Sequence, residues 1–221
     1  MAIPLDQPLP LGAAVRHTGP RDGDVVVALN GGRARAVPGD WSPSIEWLVR
    51  HLADDLPGLG FLEVRYRVKS WRRLDSCIED GLAAVDAALA AGARRVAMLG
   101  FSMGGAVSLA CAGVRPVQDV VALAPWIPRE LDLGALRGTR VTVLHGSLDA
   151  AFPGVPALKP AHSLAGVERM RALGVDASHT VIPGGVHGIA LRPLGVLMPL
   201  PRAGGWLRLV RAELARFAAG G

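Results

Sequence analysis

The sequence predicts an α/β domain built on a mostly parallel sheet, with helices on both faces, and three observations predict it. Short β-branched runs recur along the chain, amphipathic helical stretches alternate with them, and the least regular segments directly follow the runs. Near-continuous apolar strands are what a parallel sheet covered on both faces requires. Right-handed crossovers then send helices to both sides. With 221 residues, half of them apolar, the chain is read as one domain over 1–221.

Taken in order, Ala14–His17 is a weak strand and a candidate antiparallel neighbour at the start. Val25–Leu29 is the first parallel strand. A helix over Ile45–Asp55 follows "SPS", whose serine and proline suit a helix start. Phe61–Tyr66 is the next strand, and Ser76–Ala91 a helix with Ile78, Leu82, Val85 and Leu89 on one face. Strand Arg95–Leu99 runs into helix Met103–Ala112. Strands Val120–Ala124 and Val141–Leu144, helix Leu164–Ala172, strand Thr180–Ile182 and helix Trp206–Phe217 complete the pattern. The last helix has an apolar stripe that covering the sheet explains without a partner chain.

Composition narrows the function classes. The 28 glycines and 17 prolines predict many sharp connections. The net charge is +5, but the arginines are scattered among apolar and acidic residues, which reads as solvated faces and not as a nucleic-acid site. Residues 96–114 form an uncharged run of 19, long enough to span a bilayer, yet Gly100, Gly104 and Gly105 interrupt it around Ser102. A buried strand running into a buried helix explains it better, so no transmembrane segment is expected. Cys77 and Cys111 both fall in helical stretches and read first as two buried thiols, which points to a reducing compartment, with one disulfide as the alternative. The N-terminus lacks a basic start followed by an apolar run, so a cytoplasmic location is the expectation.

"LGFSMGGAVSLACAG" contains Gly100, Ser102 and Gly104 in the pattern G-x-S-x-G, with a strand before it and a helix after it. A tight strand-to-helix turn projects a serine hydroxyl from the backbone, and small neighbours relieve the crowding. The N–H of Met103, at the helix N-terminus, can face developing negative charge. Taken alone, Ser102 reads equally as a helix N-cap.

The downstream residues decide between these readings, because a serine nucleophile needs an imidazole and a carboxylate behind it. Asp149 lies in the loop after a strand, 47 residues beyond Ser102, and His187 in the loop after the next strand, 38 residues further. The order Ser, Asp, His fits a hydrolase built on this kind of sheet. The other histidines have poorer settings: His145 at a strand edge reads as a structural hydrogen-bonder, His179 falls at a strand and His51 in a helix. A second oxyanion donor is expected from "NGG" after the first parallel strand, with Gly32 favoured and Gly31 as runner-up. Neither metal-ligand spacing nor a phosphate-binding loop is visible, and no cofactor is expected.

These stretches together resemble the α/β-hydrolase superfamily, especially its small lidless dienelactone-hydrolase-like and carboxylesterase-like members. "LGFSMGG" looks like the nucleophile elbow, "LHGSLD" like the acid loop and "IPGGVHG" like the catalytic-histidine loop. The resemblance implies a compact α/β-hydrolase fold with Ser102 as nucleophile, His187 as base, Asp149 as orienting acid and Met103 as an oxyanion donor. The family's common His-Gly pair after the first parallel strand is Asn30-Gly31 here, which makes Gly32 the matching second donor. Only 16 residues separate Ala124 from Val141, too few for the helical cap of many relatives. No large cap is therefore implied, and the open site has Trp126, Phe152 and Ile189 as wall candidates, with a role as core or loop anchors an equal reading of the same residues.

The resulting expectation is a serine esterase acting on short-chain esters. The alternatives are a thioesterase, a peptidase or amidase, or a catalytically silent binding protein on the same fold. Arg67, at a strand end, is a candidate contact for an anionic acid portion, with a solvent-facing arginine as the plainer reading.

Overall fold

The computed structural model describes residues 6–149 and 158–220. The chain runs β1 (Asp6–Pro8), β2 (Ala14–Thr18), β3 (Gly23–Leu29), β4 (Val37–Pro38), α1 (Pro43–Asp55), β5 (Leu59–Arg65), β6 (Val68–Lys69) and α2 (Leu74–Ala90). It continues β7 (Ala93–Phe101), α3 (Met103–Ala112), β8 (Val117–Leu123), β9 (Arg140–Gly146), α4 (Pro160–Ala172), β10 (Ala177–Ile182), β11 (Ala190–Leu191), β12 (Met198–Pro199) and α5 (Ala203–Ala218).

Eight strands form one sheet in the order β1-β2-β5-β3-β7-β8-β9-β10. The six from β5 to β10 are parallel, while β1 and β2 add antiparallel at one edge. Strand alternation divides the core in two. Val25, Val27 and Leu29 of β3 face one side, where they pack with Cys77, Ala84 and Val85 of α2, Val107 and Cys111 of α3, and Val167 and Met170 of α4. Val26 and Ala28 face the other, against Ile45, Leu48 and Leu52 of α1 and Trp206, Val210, Leu214 and Phe217 of α5. Each of these large side chains, fully buried, stabilises the fold by about 2 kcal/mol.

Local signals account for the helix starts nearest the site. Ser42 caps α1 by accepting the Ile45 N–H, and Pro43 occupies the first turn, where a missing N–H costs nothing. Ser44, one residue on, turns its hydroxyl outward from the helix to accept the N–H groups of Ile189 and Ala190 at 3.0 and 3.2 Å. The start of α1 thus anchors the chain leaving His187.

The uncharged run 96–114 divides at Ser102 into β7 and α3, and among the described residues no helix is long and apolar enough to cross a membrane. Cys77 and Cys111 are buried free thiols on α2 and α3. Burial pushes their pKa values up to about 11 and about 12.

Candidate active site

Ser102 sits between β7 and α3 at φ +54° and ψ −116°, a conformation that L-residues rarely adopt. Its surroundings over-determine it. The Ser102 N–H donates to Leu123 O at 2.8 Å, while its carbonyl accepts from Gly105 N at 2.9 Å and Trp126 N at 3.3 Å. Strain persists only where neighbours fix it in this way. The hydroxyl makes no capping hydrogen bond to α3, so the N-cap reading fails. The turn also needs its small residues: a Cβ on Gly104 would lie 2.5 Å from Leu29 O, the last carbonyl of β3.

Asp149 follows the end of β9, and its carboxylate is almost fully buried. Its turn is stitched to the loop after β10 through Ser147 N to Ile182 O at 3.0 Å, Leu148 N to Gly185 O at 2.8 Å and Gly184 N to Ser147 Oγ at 2.8 Å. A Cβ on Gly146 would strike Gly185 O, so the two loops can meet this closely because residue 146 is glycine. The result is a hydrogen bond from His187 Nδ1 to Asp149 Oδ2 at 2.7 Å. Burial pushes the Asp149 carboxyl up, but hydrogen bonds from His145 and His187 outweigh it and hold the group below its ordinary value.

The loops bring Asp149 and His187 into contact, whereas among the described residues no hydrogen bond joins Ser102 Oγ to His187. The imidazole lies against the Phe101 ring, the residue before Ser102, with centroids 5.1 Å apart.

Of the two glycine donors, Gly31 gives its N–H to Asn30 Oδ1 at 2.7 Å. The Asn30 amide is in turn held by Asp40, through its backbone carbonyl at 3.2 Å and Oδ1 at 3.1 Å. Gly32 packs on Met103, where a Cβ would lie 2.5 Å from Sδ. The Met103 N–H opens α3 and has no intrahelical acceptor.

The wall candidates separate. Trp126 is partly buried beside Ser102 through its N–H, Ile189 is fully buried in the core under α1 and α5, and Phe152 lies outside the described residues. Ile189 is therefore a core side chain and not a wall. Arg67 does not face the site either: its guanidinium pairs with Glu79 and donates to Ser76 Oγ at 2.9 Å, beside Asp80 on α2. Sequence reasoning missed Ser44, and it missed that His145 approaches Asp149 Oδ2 at 3.1 Å. The spacing of four residues from a strand end into a tight turn was the available signal.

Neither a protein-family model nor a curated protein matches the sequence. Solved structures do match its fold. Carboxyl esterase 2 from the fungus Tuber melanosporum is 15% identical, with 97% of this chain and 85% of that one covered at a TM-score of 0.73. An esterase from Pyrobaculum calidifontis is 17% identical over 98% of this chain and 85% of its own, TM-score 0.67. A candidate alpha/beta hydrolase of unknown function from Agrobacterium tumefaciens is 14% identical over 99% and 97%, TM-score 0.70. The sheet order, the helices on both faces and the absence of a large cap between β8 and β9 give this chain the α/β-hydrolase fold.

Proposed function

We propose that the protein is a serine hydrolase that cleaves carboxylic esters through Ser102, His187 and Asp149. The observation that carries this reading is the positive φ of Ser102, held by three backbone hydrogen bonds at the C-terminal edge of the parallel sheet, with its hydroxyl not spent on capping. Ligands of open α/β sheets bind at this edge. Asp149 and His187 reach the same edge from the loops after β9 and β10.

In the proposed reaction, His187 Nε2 takes the Ser102 proton as Oγ attacks the ester carbonyl; Nδ1 keeps its proton on Asp149. That orientation fixes the tautomer, and the ionised carboxylate stabilises the imidazolium that forms. Such a serine–histidine hydrogen bond tightens when substrate binds. The N–H groups of Met103 and Gly32 receive the oxyanion. Gly32 is preferred over Gly31 because the Gly31 N–H already serves Asn30. His187 next protonates the leaving alcohol, then activates the water that releases the acid.

Short acyl chains are the proposed substrates, since the short connection between β8 and β9 carries no cap and so offers little wall for a long chain. Substrate is a small molecule, no cofactor takes part, and the proposed location is the cytoplasm. The test compares p-nitrophenyl butyrate with the palmitate ester on the wild type and Ser102→Ala. Butyrate turnover that the variant loses by orders of magnitude, with its fold kept, supports the reading. Equal turnover in both proteins overturns it, and a strong palmitate preference overturns the short-chain assignment.

A further inference from the structure

Behind Asp149 lies a buried polar chain that the proposed reaction does not use. His145, on β9, is fully buried. Its Nε2 faces two groups that can only accept, Asp149 Oδ2 at 3.1 Å and the Leu158 carbonyl at 2.5 Å, so this nitrogen carries a proton. Its Nδ1 meets Ser163 Oγ of α4 at 2.8 Å. Ser163 also reaches the Pro160 carbonyl at 3.1 Å and His179 Nε2 of β10 at 2.9 Å. The single Ser163 proton serves either the Pro160 carbonyl or an unprotonated Nδ1 of His145, and the hydroxyl oxygen is open to a donor from His179. Burial is the main cause that holds His179 below its ordinary pKa.

Asp149 Oδ2 therefore has two imidazole nitrogens against it: His187 Nδ1 in a 2.7 Å hydrogen bond, and His145 Nε2 at 3.1 Å, whose N–H is shared with the Leu158 carbonyl. We propose that His145 is a positioning residue for the Asp149–His187 pair: it fixes the carboxylate and, by donating to the same oxygen, limits how strongly that oxygen holds the His187 imidazolium. The inference rests on the reading of Asp149 and His187 as acid and base. Filling space beneath the turn would leave the protonation of His187 untouched, whereas sharing an acceptor oxygen does not. Losing the donor concentrates negative charge on Asp149 Oδ2, and the protonated form of His187 gains.

The test is 15N-histidine NMR on the full chain, in the wild type, His145→Gln and His145→Leu. The Gln amide can donate from near the position of Nε2; Leu cannot. His145 Nε2 should read as protonated throughout the His187 titration. The His187 midpoint should rise by about one pH unit in His145→Leu and stay at the wild-type value in His145→Gln. The acid limb of kcat/KM on p-nitrophenyl acetate should move with it. An unprotonated Nε2 in the wild type overturns the proposal without any variant, which covers a Leu protein that fails to fold. A folded Leu variant with an unmoved His187 midpoint overturns it as well. Because NMR reads the rings without turnover, a wild type lacking esterase activity would count against the function above and leave this test standing.

Discussion

The N–H of Ser102 donates to the carbonyl of Leu123 at 2.8 Å, so the last residue of β8 holds the serine of the β7–α3 turn at positive φ. The same turn is closed from the other side by β3, whose Leu29 carbonyl leaves no room for a side chain at position 104. Serine presentation is thus a property of three adjacent strands and not of a local loop.

Gly104→Ala tests that closure. The added methyl meets backbone on β3 that cannot swing aside. Thermal or urea denaturation should show a loss of about 2 kcal/mol or more. A change near zero would mean that the turn is looser than described.

Asp149→Asn should preserve the fold and lower kcat by about 10³ to 10⁴, because an amide donating to Nδ1 stabilises the wrong tautomer of His187. Circular dichroism and ester kinetics on the same preparation check both halves. Retention of more than a tenth of the activity would remove Asp149 from the reaction.

Glu46 on α1 links three arginines: it accepts from Arg16 and Arg50, each at 2.7 Å, and pairs with Arg192 of the chain beyond His187. Burial raises its carboxyl, but the hydrogen bonds from Arg192 and Arg16 outweigh this and hold it at about 2 against an ordinary 4.5. A carboxyl depressed on folding stabilises fully above its unfolded value, and the contribution fades as pH falls from 4.5 toward 2. Glu46→Gln should cost about 2 kcal/mol at neutral pH and flatten the stability profile across that acid window. An unchanged acid profile would contradict the network.

Cys77 Sγ donates to Val68 O at 3.3 Å, and both thiols are buried with raised pKa values. Iodoacetamide at pH 8 should leave the native protein unmodified and alkylate both cysteines after denaturation. Rapid labelling of the native protein would show the α2–α3 interface opening.

Much of this was legible in the sequence because the central strands are short β-branched runs that no helix period fits. Helix α3 was found with its observed bounds. What escaped has physical reasons. β1 is Asp-Gln-Pro at a sheet edge, without apolar alternation, and the pairs β4–β6 and β11–β12 are two residues per strand, made by tertiary contact alone. α4 begins at Pro160, four residues before its first periodic leucine, because proline opens the helix ahead of the apolar face. The turn serine and the Asp149–His187 pair followed from loop positions after strands. Ile189 could not be assigned that way, since a pocket-lining residue beside His187 and a core residue read alike in one dimension. For Arg67, the strand-end position does not reveal that its partners Glu79, Asp80 and Ser76 come from the following helix.

The most direct test of Ser102 as an activated nucleophile is to incubate the wild type and Ser102→Ala with a fluorophosphonate probe and locate the adduct by peptide mass. One adduct is expected, on the peptide carrying Ser102, and none in the variant. A folded wild type that stays unlabelled, or an adduct on another residue that survives in Ser102→Ala, would contradict it.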